Sequence, residues 1–496
     1  MKVKRLARTA LLFLCVTALT GCGPFNDTSP PAIESVMPPV DSSGILVDQT
    51  LTITFDEDID AESLHARLWK GAVEIPLGAA SGTRSVLIKP LRPLDYGTAY
   101  KFVVDGGYSD LSGNASAEGY ELNFSTSAKN TGFIKGSVIV DSFIKRVWDN
   151  VGFSPQQTLR DNGMTFARVG VTTLPVQELS DTSPGSWSES ATPWQDDFWS
   201  SREMAGQILE EAQAAGCGLD VFLFLSDKAA FAGQQELPAA WSGKTKSQIE
   251  AAVRQSANDT ASYFSSTLGL PIDVYEIGNE IEFGILGYKA GSSAIPIPSG
   301  TDILRDIGWM ESNVWDIEAD LLKAAIQGIR DSGSSAKIGL HIAGLGYSPD
   351  NDFAYRFFKY MKDEGVDYDI AELSFPYMFG GSAVPQPYFR ETEFAQILDR
   401  LKGLGKEVYI AEFAYPAHPD GIAHSPSDLY PLTEQGQSDF IEDFMKVVQS
   451  HADGAFYFYP DYYPDQAVYG GDTIGLQSSG LFDDAYEANA GLAEFH

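Results

Sequence analysis

The stretch that decides the fold is Asp-Val-Tyr-Glu-Ile-Gly-Asn-Glu-Ile, residues 273–281. Its apolar residues predict a short buried strand, and the Gly-Asn-Glu after them places Asn279 and Glu280 at the C-terminal end of that strand. A second stretch, Glu-Val-Tyr-Ile-Ala-Glu-Phe-Ala-Tyr-Pro at residues 407–416, has the same character and places Glu412 near the end of its strand. The chain therefore has two strands that each deliver a glutamate to a strand end.

A pair of glutamates at strand ends is suited to cutting a glycosidic bond. One carboxyl group protonates the leaving oxygen, and the other attacks the sugar carbon or activates water. The alternative is that one or both are acids in surface loops, because the chain has 68 acidic residues. The two matching contexts favour a catalytic role for Glu280 and Glu412.

Strand and helix patterns alternate from residue 132 to the C-terminus. Strands are predicted at residues 136–140, 165–171, 219–225, 272–277, 337–342, 368–375, 407–413 and 455–459. Helices are predicted at residues 204–215, 247–266, 314–332, 354–363, 393–404 and 435–450. Such alternation predicts a parallel sheet, and eight strands over residues 132–496 predict a (β/α)8 TIM barrel. Glu280 and Glu412 then fall after strands four and seven, on the face where barrel sites lie.

A doubly wound α/β sheet is the alternative to a barrel. That fold binds nucleotides through a glycine-rich loop after its first strand, and no such loop follows residues 136–140. The barrel is therefore the favoured interpretation.

Residues 32–127 have a different, all-β pattern. Short alternating segments at 51–55, 85–89, 100–104 and 120–124 are separated by Gly, Pro, Asp and Asn, which predicts a small β-sandwich. The segments 110–114 (Asp-Leu-Ser-Gly-Asn) and 124–126 (Phe-Ser-Thr) resemble bacterial Ig-like domains. The resemblance implies a module that spaces a catalytic domain from a membrane, with sugar binding as the alternative.

The N-terminus predicts a lipoprotein signal peptide at residues 1–21. Four basic residues precede an apolar segment, residues 10–19, that is too short to remain across a bilayer. Leu-Thr-Gly-Cys at residues 19–22 resembles a bacterial lipobox, which implies cleavage before Cys22 and a lipid on its sulfur. Residues 22–31 would be a linker. We expect a lipoprotein of the bacterial cell envelope, at the outer membrane or cell surface; the alternative is an ordinary secretory signal.

Composition limits the partners. The formal charge is −34, and removing residues 1–21, which have four basic and no acidic residues, lowers it to −38. Such a surface repels phosphate backbones, so nucleic acid is not expected as a partner. The three cysteines show no disulfide framework and no metal-ligand spacing. We expect a monomer that acts on a polysaccharide or oligosaccharide without a metal or cofactor.

Glutamates after strands four and seven of such a barrel resemble those of the retaining glycosidases of clan A, and the similarity is greatest to glycoside hydrolase family 53, the endo-β-1,4-galactanases. It extends from residue 168 to the C-terminus. The segments with this resemblance are Ser226-Asp227 with Gln235 and Pro238 to Trp241, Tyr275 to Ile281, Asp367 to Ile370 with Leu373-Ser374, Gly405 to Pro416, Gly436-Gln437, Phe456-Tyr457 and Gly480 to Asp483.

The resemblance implies a retaining, endo-acting enzyme with assigned roles. Glu280 would be the acid/base and Glu412 the nucleophile, with their carboxyl groups about 5–5.5 Å apart. Asn279 would hydrogen-bond the sugar 2-hydroxyl. Arg168, expected at the end of strand two, would pair with Glu412 and keep it ionised, or would be a structural ion pair. Glu276 is expected to support Glu280 or, like any acid, to lie at the surface.

Further side chains would bind the substrate. Besides Arg168 and Asn279, this set comprises Asp227, Trp241, His341, Tyr377 and Phe458. The alternative for the aromatic members is a place in the core, and His341 points either into the barrel or into packing. Glu282 is expected to support Glu280 or to lie at the surface.

The chain also departs from the family at positions that shape sugar subsites. Phe224 and Leu225 stand where the family has histidine and tyrosine, Ala229 replaces a tryptophan, and Phe458-Tyr459-Pro460 replaces Trp-Glu-Pro. Two alternatives to a galactanase therefore stay open. One is a hydrolase of another β-linked glycan, and the other is a lipoprotein that binds carbohydrate without cutting it.

Overall fold

The structure is a computed structural model that describes residues 27–139, 152–172, 202–227, 230, 232–343, 352–375, 392–418, 429–461, 479–483, 485 and 487–496. These residues form two compact units. The first contains Gln49–Leu91, Thr98–Thr126 and the described residues before Leu46. The second contains Leu46–Asp48, Arg92–Gly97 and the described residues from Ser127 onward. Cys22 and Tyr377 lie outside the described residues.

The first unit is all-β, as its alternating sequence predicts. Its strands are β1 (Ile33–Met37), β2 (Ser42–Ile45), β3 (Leu51–Phe55), β4 (Ala66–Lys70), β5 (Val73–Ile75), β6 (Ser85–Ile88), β7 (Ala99–Val104) and β8 (Tyr120–Thr126). They form a sheet in the order β1-β3-β6 and another in the order β2-β8-β7-β4-β5. Every second residue of β3 is fully buried, because successive side chains of a strand point to opposite faces.

The second unit is a closed barrel. Its strands are β9 (Ile134–Val138), β10 (Phe166–Val171), β11 (Gly218–Leu223), β12 (Val274–Ile277), β15 (Lys337–Ile342), β16 (Ile370–Ser374), β17 (Glu407–Phe413) and β18 (Gly454–Phe458), with the hairpin β13 (Gly284–Ile285) and β14 (Tyr288–Lys289) inserted. All eight barrel strands are parallel and follow chain order, and β18 pairs with β9 to close the ring. The predicted TIM barrel is confirmed.

Helices alternate with the barrel strands. They are α1 (Pro155–Asp161), α2 (Arg202–Ala214), α3 (Lys246–Ser262), α4 (Ile307–Met310), α5 (Asp316–Asp331), α6 (Asp352–Asp363), α7 (Thr392–Lys402) and α8 (Glu434–His451). The chain begins α3 with a capping box, in which Thr245 accepts from the Gln248 N–H and the Gln248 side chain accepts from the Thr245 N–H. No helix among the described residues is long and apolar enough to cross a membrane.

The sequence predicted each barrel strand to within two residues at either end. The apolar strand segments made this possible, because strands covered on both faces are buried at nearly every position. Two helices differ in part. The sequence predicts one α-helix at residues 247–266, but α3 ends at Ser262 and continues as a π-helical segment, Tyr263–Leu268. Gly269, at a φ of 69°, ends that segment. The sequence also predicts one α-helix at residues 314–332, but a π-helical segment, Glu311–Trp315, precedes α5.

Candidate active site

Arg168 lies at the centre of the barrel interior. The sequence suggested the end of strand two, but Arg168 is the third residue of β10 and is level with Asp220 of β11. Its side chain is fully buried. Its Nη1 donates to Glu412 Oε1 at 2.9 Å, while Nε and Nη2 donate to the two oxygens of Glu276 at 2.8 and 2.7 Å. The guanidinium also stacks over Phe222, with Cζ 4.0 Å from the ring centroid.

The Arg168–Glu276 pair is fully charged. Burial works against the charge of the guanidinium, but the negative charges of Glu276 and Glu412 outweigh it and raise the pKa of Arg168. Burial likewise opposes ionisation of Glu276, yet Arg168 and His341 lower the pKa of that carboxyl group to about 2. Glu276 is therefore a permanent carboxylate in the barrel interior, and neither a surface acid nor a proton donor at neutral pH.

Glu412 lies in β17 with only 5% of its surface exposed. Burial raises the pKa of Glu412 overall, while the adjacent charges of Arg168 and His341 lower it. The sequence predicted the partner and the direction of its effect, but it did not predict that burial is the larger influence. The guanidinium thus limits a pKa rise that burial alone would make larger.

Glu280 follows β12 in a strained backbone conformation. Its φ is 52°, in the left-handed region that residues other than glycine rarely adopt. Its Oε1 accepts from the Ser374 hydroxyl at 2.8 Å, and its Oε2 accepts from the Ala232 N–H at 3.2 Å. The side chain is thus held from two directions and is 8% exposed. Residues other than glycine that have such a conformation cluster at functional sites, where contacts with the surrounding structure hold the backbone in place.

Two more predicted residues meet behind Glu280. The Asn279 Nδ2 donates to the Ala230 carbonyl at 3.0 Å, and its Oδ1 lies 2.9 Å from His341 Nδ1. His341 Nε2 lies 2.9 Å from the Ser374 hydroxyl oxygen. The sequence left the direction of His341 open; its ring is fully buried inside the barrel.

Two carboxyl groups that sequence reasoning did not select also lie in the barrel. Oxygens of Asp220, Glu276 and Glu372 all lie within 4.8 Å of one another, and all three residues are buried. Burial raises the pKa of Asp220 and Glu372 well above the usual range, and the charge of Glu276 adds to the effect. Their surroundings therefore favour the protonated form of both groups. Their signal in the sequence is a single acidic residue inside an otherwise apolar strand.

Glu282 and Glu318 form another buried pair beside the site. The sequence allowed Glu282 to lie at the surface, but it is fully buried and its Oε2 accepts from the Ala343 N–H at 3.2 Å. Burial, with the nearby charge of Glu280, raises the pKa of Glu282 to about 8. Burial, with the charge of Glu282, raises the pKa of Glu318 well above its ordinary value.

The other predicted substrate-binding residues have contacts of their own. Asp227 Oδ2 accepts at 2.7 Å from the N–H of Ala239, the first residue of the short 3-10 helix Ala239–Trp241. Trp241 is partly buried against the barrel core. Phe458 is 6% exposed and packs on Tyr459, with ring centroids 3.8 Å apart.

Among the described residues, two groups of acids are close enough to share a cation. One is the trio of Asp220, Glu276 and Glu372, in which Arg168 already occupies both oxygens of Glu276. The other comprises Asp27, Glu57 and Asp110 in the first unit. There Asp110 already accepts hydrogen bonds from the backbone N–H groups of residues 112 and 114.

A closed parallel barrel with buried glutamates after strand four and in strand seven, one of them paired with arginine, defines the chain as a (β/α)8-barrel glycoside hydrolase. Comparison with known proteins gives the family. Residues 153–495 match Glycosyl hydrolase family 53, and the chain belongs to that family. Residues 27–126 match the Bacterial Ig-like domain, as the sequence indicated for this part of the chain.

The chain is also similar in sequence to individual galactanases. The arabinogalactan endo-β-1,4-galactanase of Humicola insolens is 26% identical over 259 residues, which cover 51% of this chain and 70% of the relative. The enzyme of the same name from Thermothelomyces thermophilus is 29% identical over 261 residues, with the same two coverages of 51% and 70%.

Solved structures share the fold. The GH53 catalytic domain of Ignisphaera aggregans has a TM-score of 0.56 at 22% identity, covering 74% of this chain and 96% of that one. A fungal β-1,4-galactanase structure has a TM-score of 0.54 at 22% identity, covering 73% and 98%.

The buried Glu282 predicts a pH-dependent stability. Because its folded-state pKa of about 8 exceeds that of the unfolded chain, the folded protein retains a proton that the unfolded chain releases. The free energy of unfolding should therefore fall as pH rises from about 5 to about 8, by up to about 1.4 kcal/mol per unit for this group. Glu282→Gln cannot titrate and keeps an oxygen for the Ala343 N–H, so its stability should fall less steeply.

Denaturant unfolding at several pH values measures this difference. Glu393→Gln, at an exposed position of α7, is the matched control and should leave the wild-type slope unchanged. Equal slopes in the wild type and Glu282→Gln would contradict a neutral, buried Glu282.

Proposed function

We propose that the protein is a retaining, endo-acting hydrolase of a β-linked polysaccharide. The observation that supports this most is the difference between the surroundings of the two glutamates. Glu412 contacts the permanent charge of Arg168, whereas Glu280 contacts a hydroxyl and a backbone N–H. The former environment suits an ionised nucleophile, and the latter suits a group that gains and loses a proton.

The first half of the reaction forms a covalent intermediate. Glu280 gives its proton to the glycosidic oxygen while Glu412 attacks the anomeric carbon, so the carbon–oxygen bond to the leaving sugar breaks as a bond to the enzyme forms. Arg168 holds Oε1 of Glu412, so we assign the attack to Oε2. Asn279 uses one Nδ2 hydrogen on the Ala230 carbonyl, and the second is assigned to the sugar 2-hydroxyl.

The second half restores the enzyme. Glu280, now a carboxylate, takes a proton from water as the water oxygen attacks the anomeric carbon, and the bond to Glu412 breaks. Each half inverts the anomeric carbon, so the product keeps the β configuration. We propose a separation of about 5–5.5 Å between the two carboxyl groups, the value that distinguishes retaining from inverting enzymes.

The mechanism predicts different defects for the two glutamates. Glu412→Ala should abolish turnover of every substrate, because no intermediate forms. Glu280→Ala should lower kcat on polysaccharide by about 10²-fold or more, yet retain the first step on aryl glycosides whose leaving groups need no proton. Azide should then accelerate breakdown of the intermediate. Stopped-flow release of the phenol measures both steps.

Glu407→Gln is the matched control, because Glu407 lies at the opposite end of the same strand and is paired with Lys337. It should retain wild-type kcat. An inverted product in early NMR spectra, or full activity in either alanine variant, would refute the assignment.

The sugar specificity is proposed from the relatives and from the replaced subsite residues. The curated relatives are named as galactanases acting on arabinogalactan, which makes β-1,4-galactan the reference substrate. In this chain Phe224, Leu225 and Phe458 are 1%, 3% and 6% exposed and offer no polar side-chain group. A sugar hydroxyl that is buried against apolar side chains without a hydrogen-bond partner weakens binding of that sugar.

We therefore expect weaker cleavage of unsubstituted β-1,4-galactan than of another β-glycan. Reducing-end assays on a panel of plant and algal polysaccharides measure this, and the Glu412→Ala variant supplies the background. Galactan as the best substrate of the panel would show that the apolar replacements do not weaken its binding.

We also propose that the enzyme is anchored at the cell surface through a lipid on Cys22, as a monomer spaced from the membrane by its Ig-like domain. Leu-Thr-Gly-Cys at residues 19–22 supports this. Cys22→Ala should move the protein from the membrane fraction to the soluble fraction without loss of hydrolytic activity. An unchanged distribution between fractions would contradict lipidation at Cys22.

A further inference from the structure

A continuous chain of polar contacts leads from Glu280 into the barrel. The Ser374 hydroxyl lies 2.8 Å from Glu280 Oε1 and 2.9 Å from His341 Nε2. On the other side of the ring, His341 Nδ1 lies 3.0 Å from Glu276 Oε1 and 2.9 Å from Asn279 Oδ1. Ser374 and His341 lie on the neighbouring strands β16 and β15 and are both buried.

The proton on Nδ1 of His341 is fixed by its neighbours. Asn279 directs its NH2 group at the Ala230 carbonyl, so its oxygen faces the ring. Glu276 presents a second oxygen to the same nitrogen. Arg168 Nη2 also lies 3.1 Å from Nδ1, and a guanidinium can only donate. Nη2 already donates to Glu276 Oε1, and two acceptors face this one donor, so we assign Nδ1 as an N–H donor.

The Ser374 hydroxyl has one proton, so the direction in which it donates determines whether Glu280 or Nε2 of His341 is protonated. If the hydroxyl donates to Glu280, its oxygen must accept from His341, which requires a proton on Nε2. If the hydroxyl instead donates to Nε2, the Glu280 carboxyl group must be protonated and donate to the serine oxygen. Each arrangement satisfies both contacts with one mobile proton, placed either on His341 or on Glu280.

We propose that Ser374 couples Glu280 to His341, so that one proton is shared between the Glu280 carboxyl group and Nε2 of His341. In the transfer, the Nε2–H bond breaks as a proton reaches the serine oxygen, and the serine O–H bond breaks as its proton reaches Glu280 Oε1. An imidazolium and a carboxylate thereby become a neutral imidazole and a carboxylic acid. Ser374 and His341 are positioning residues that act through Glu280.

The surrounding charges support both arrangements. Glu276 on β12 is a carboxylate beside Nδ1 and stabilises a positive ring, whereas the Arg168 guanidinium on β10 opposes it. Glu412 on β17 is a further acid near the ring. The acids of β11 and β16, Asp220 and Glu372, are buried neighbours of Glu276 whose pKa is raised well above the usual range. The fixed cation and the fixed anion near the ring act on its charge in opposite directions.

The consequence for catalysis rests on the proposed function. After Glu280 has protonated the leaving sugar, the Ser374 hydroxyl turns toward the new carboxylate and leaves the His341 lone pair facing a serine lone pair. That unfavourable contact is relieved when Glu280 takes a proton from water. The relay therefore strengthens Glu280 as the base of the second step.

Ring-nitrogen NMR tests the coupling without any measurement of activity. Protein labelled with 15N-histidine contains six histidines, and the His341 signals are assigned by their loss in His341→Gln. Replacing Glu280 with alanine leaves Ser374 to donate to Nε2, so the Nε2 signal should move toward the position of an unprotonated nitrogen. The same replacement in an S374A background should leave the Nε2 signal unchanged, while an S374T background should restore the movement.

The coupling is overturned if Glu280→Ala leaves the Nε2 signal of the wild-type background unchanged, or moves it equally in the S374A background. Glu280→Gln is the second variant, for use if the alanine variant does not fold. Its neutral side chain removes the same negative charge, and it should move the signal in the same direction.

Kinetics separate a positioning role from a structural one. S374A should lower kcat on polysaccharide on the order of tenfold with little change in KM, shift the pH profile of kcat/KM, and spare aryl glycosides with good leaving groups in the first step. S374T should restore the wild-type profile. If the wild type hydrolyses no β-glycan while the NMR coupling is present, the proposed function fails and the relay stands. Hydrolysis without coupling refutes the relay alone.

Discussion

The buried guanidinium of Arg168 is the constraint on which the rest of the barrel interior depends. Arginine cannot lose its proton in a protein, so its burial requires carboxylates at hydrogen-bond distance. Glu276 supplies two oxygens and Glu412 one, which ties β10 to β12 and β17. Removing one partner of such a group typically costs about 3–5 kcal/mol, because the remaining charge is left uncompensated. The barrel interior contains one guanidinium and several carboxyl groups. Because one positive charge cannot compensate all of them, the other carboxyl groups cannot all be ionised. Burial and the charge of Glu276 accordingly raise the pKa of Asp220 and Glu372 well above the usual range.

Backbone strain occurs where several barrel strands end. Leu225, Glu280 and Tyr459 have φ values of 54°, 52° and 54°, and each directly or closely follows a barrel strand. A residue in this conformation costs on the order of 1–2 kcal/mol unless it is glycine. The barrel wall tolerates these conformations because its strands are buried at nearly every position and the helices outside pack around large aromatic groups. Trp315, for instance, contacts Phe353 and Phe357 at ring-centroid distances of 5.5 Å each. The C-terminal face can therefore keep an unfavourable geometry that positions Glu280.

The sequence was sufficient for the parts of the molecule that depend on local pattern. Apolar segments predicted every barrel strand, and helical spacing predicted the helices between them. Gly-Asn-Glu predicted that Glu280 lies at the end of a strand. The sequence did not reveal how the strands pair in register or which side chains point into the barrel. Arg168 looked like a strand-end residue, yet its level in the barrel is set by its pairing with β11. Glu372 and Ser374 lie two residues apart, so they share the inward face of β16, but only the closed ring shows which face is inward. Ser374 lies in a segment that resembles the family, but the sequence does not reveal its role, because a serine at a strand end is common and its contact with Glu280 spans 94 positions.

Glu280 and Glu412 have the same side chain and differ in whether the neighbouring groups can exchange a proton with them. Glu412 faces a group whose charge never changes, and that charge opposes the rise in pKa that burial causes. Glu280 faces a hydroxyl that can donate in either of two directions, and behind it a ring nitrogen that can hold or release a proton. A double displacement needs this asymmetry, because its nucleophile must be an anion at the outset while its acid must become a base halfway through. The two neighbours come from different strands of the barrel, Arg168 from β10 and Ser374 from β16. In the proposed mechanism, the fixed charge beside Glu412 and the exchangeable proton beside Glu280 separate the two roles without requiring different residue types.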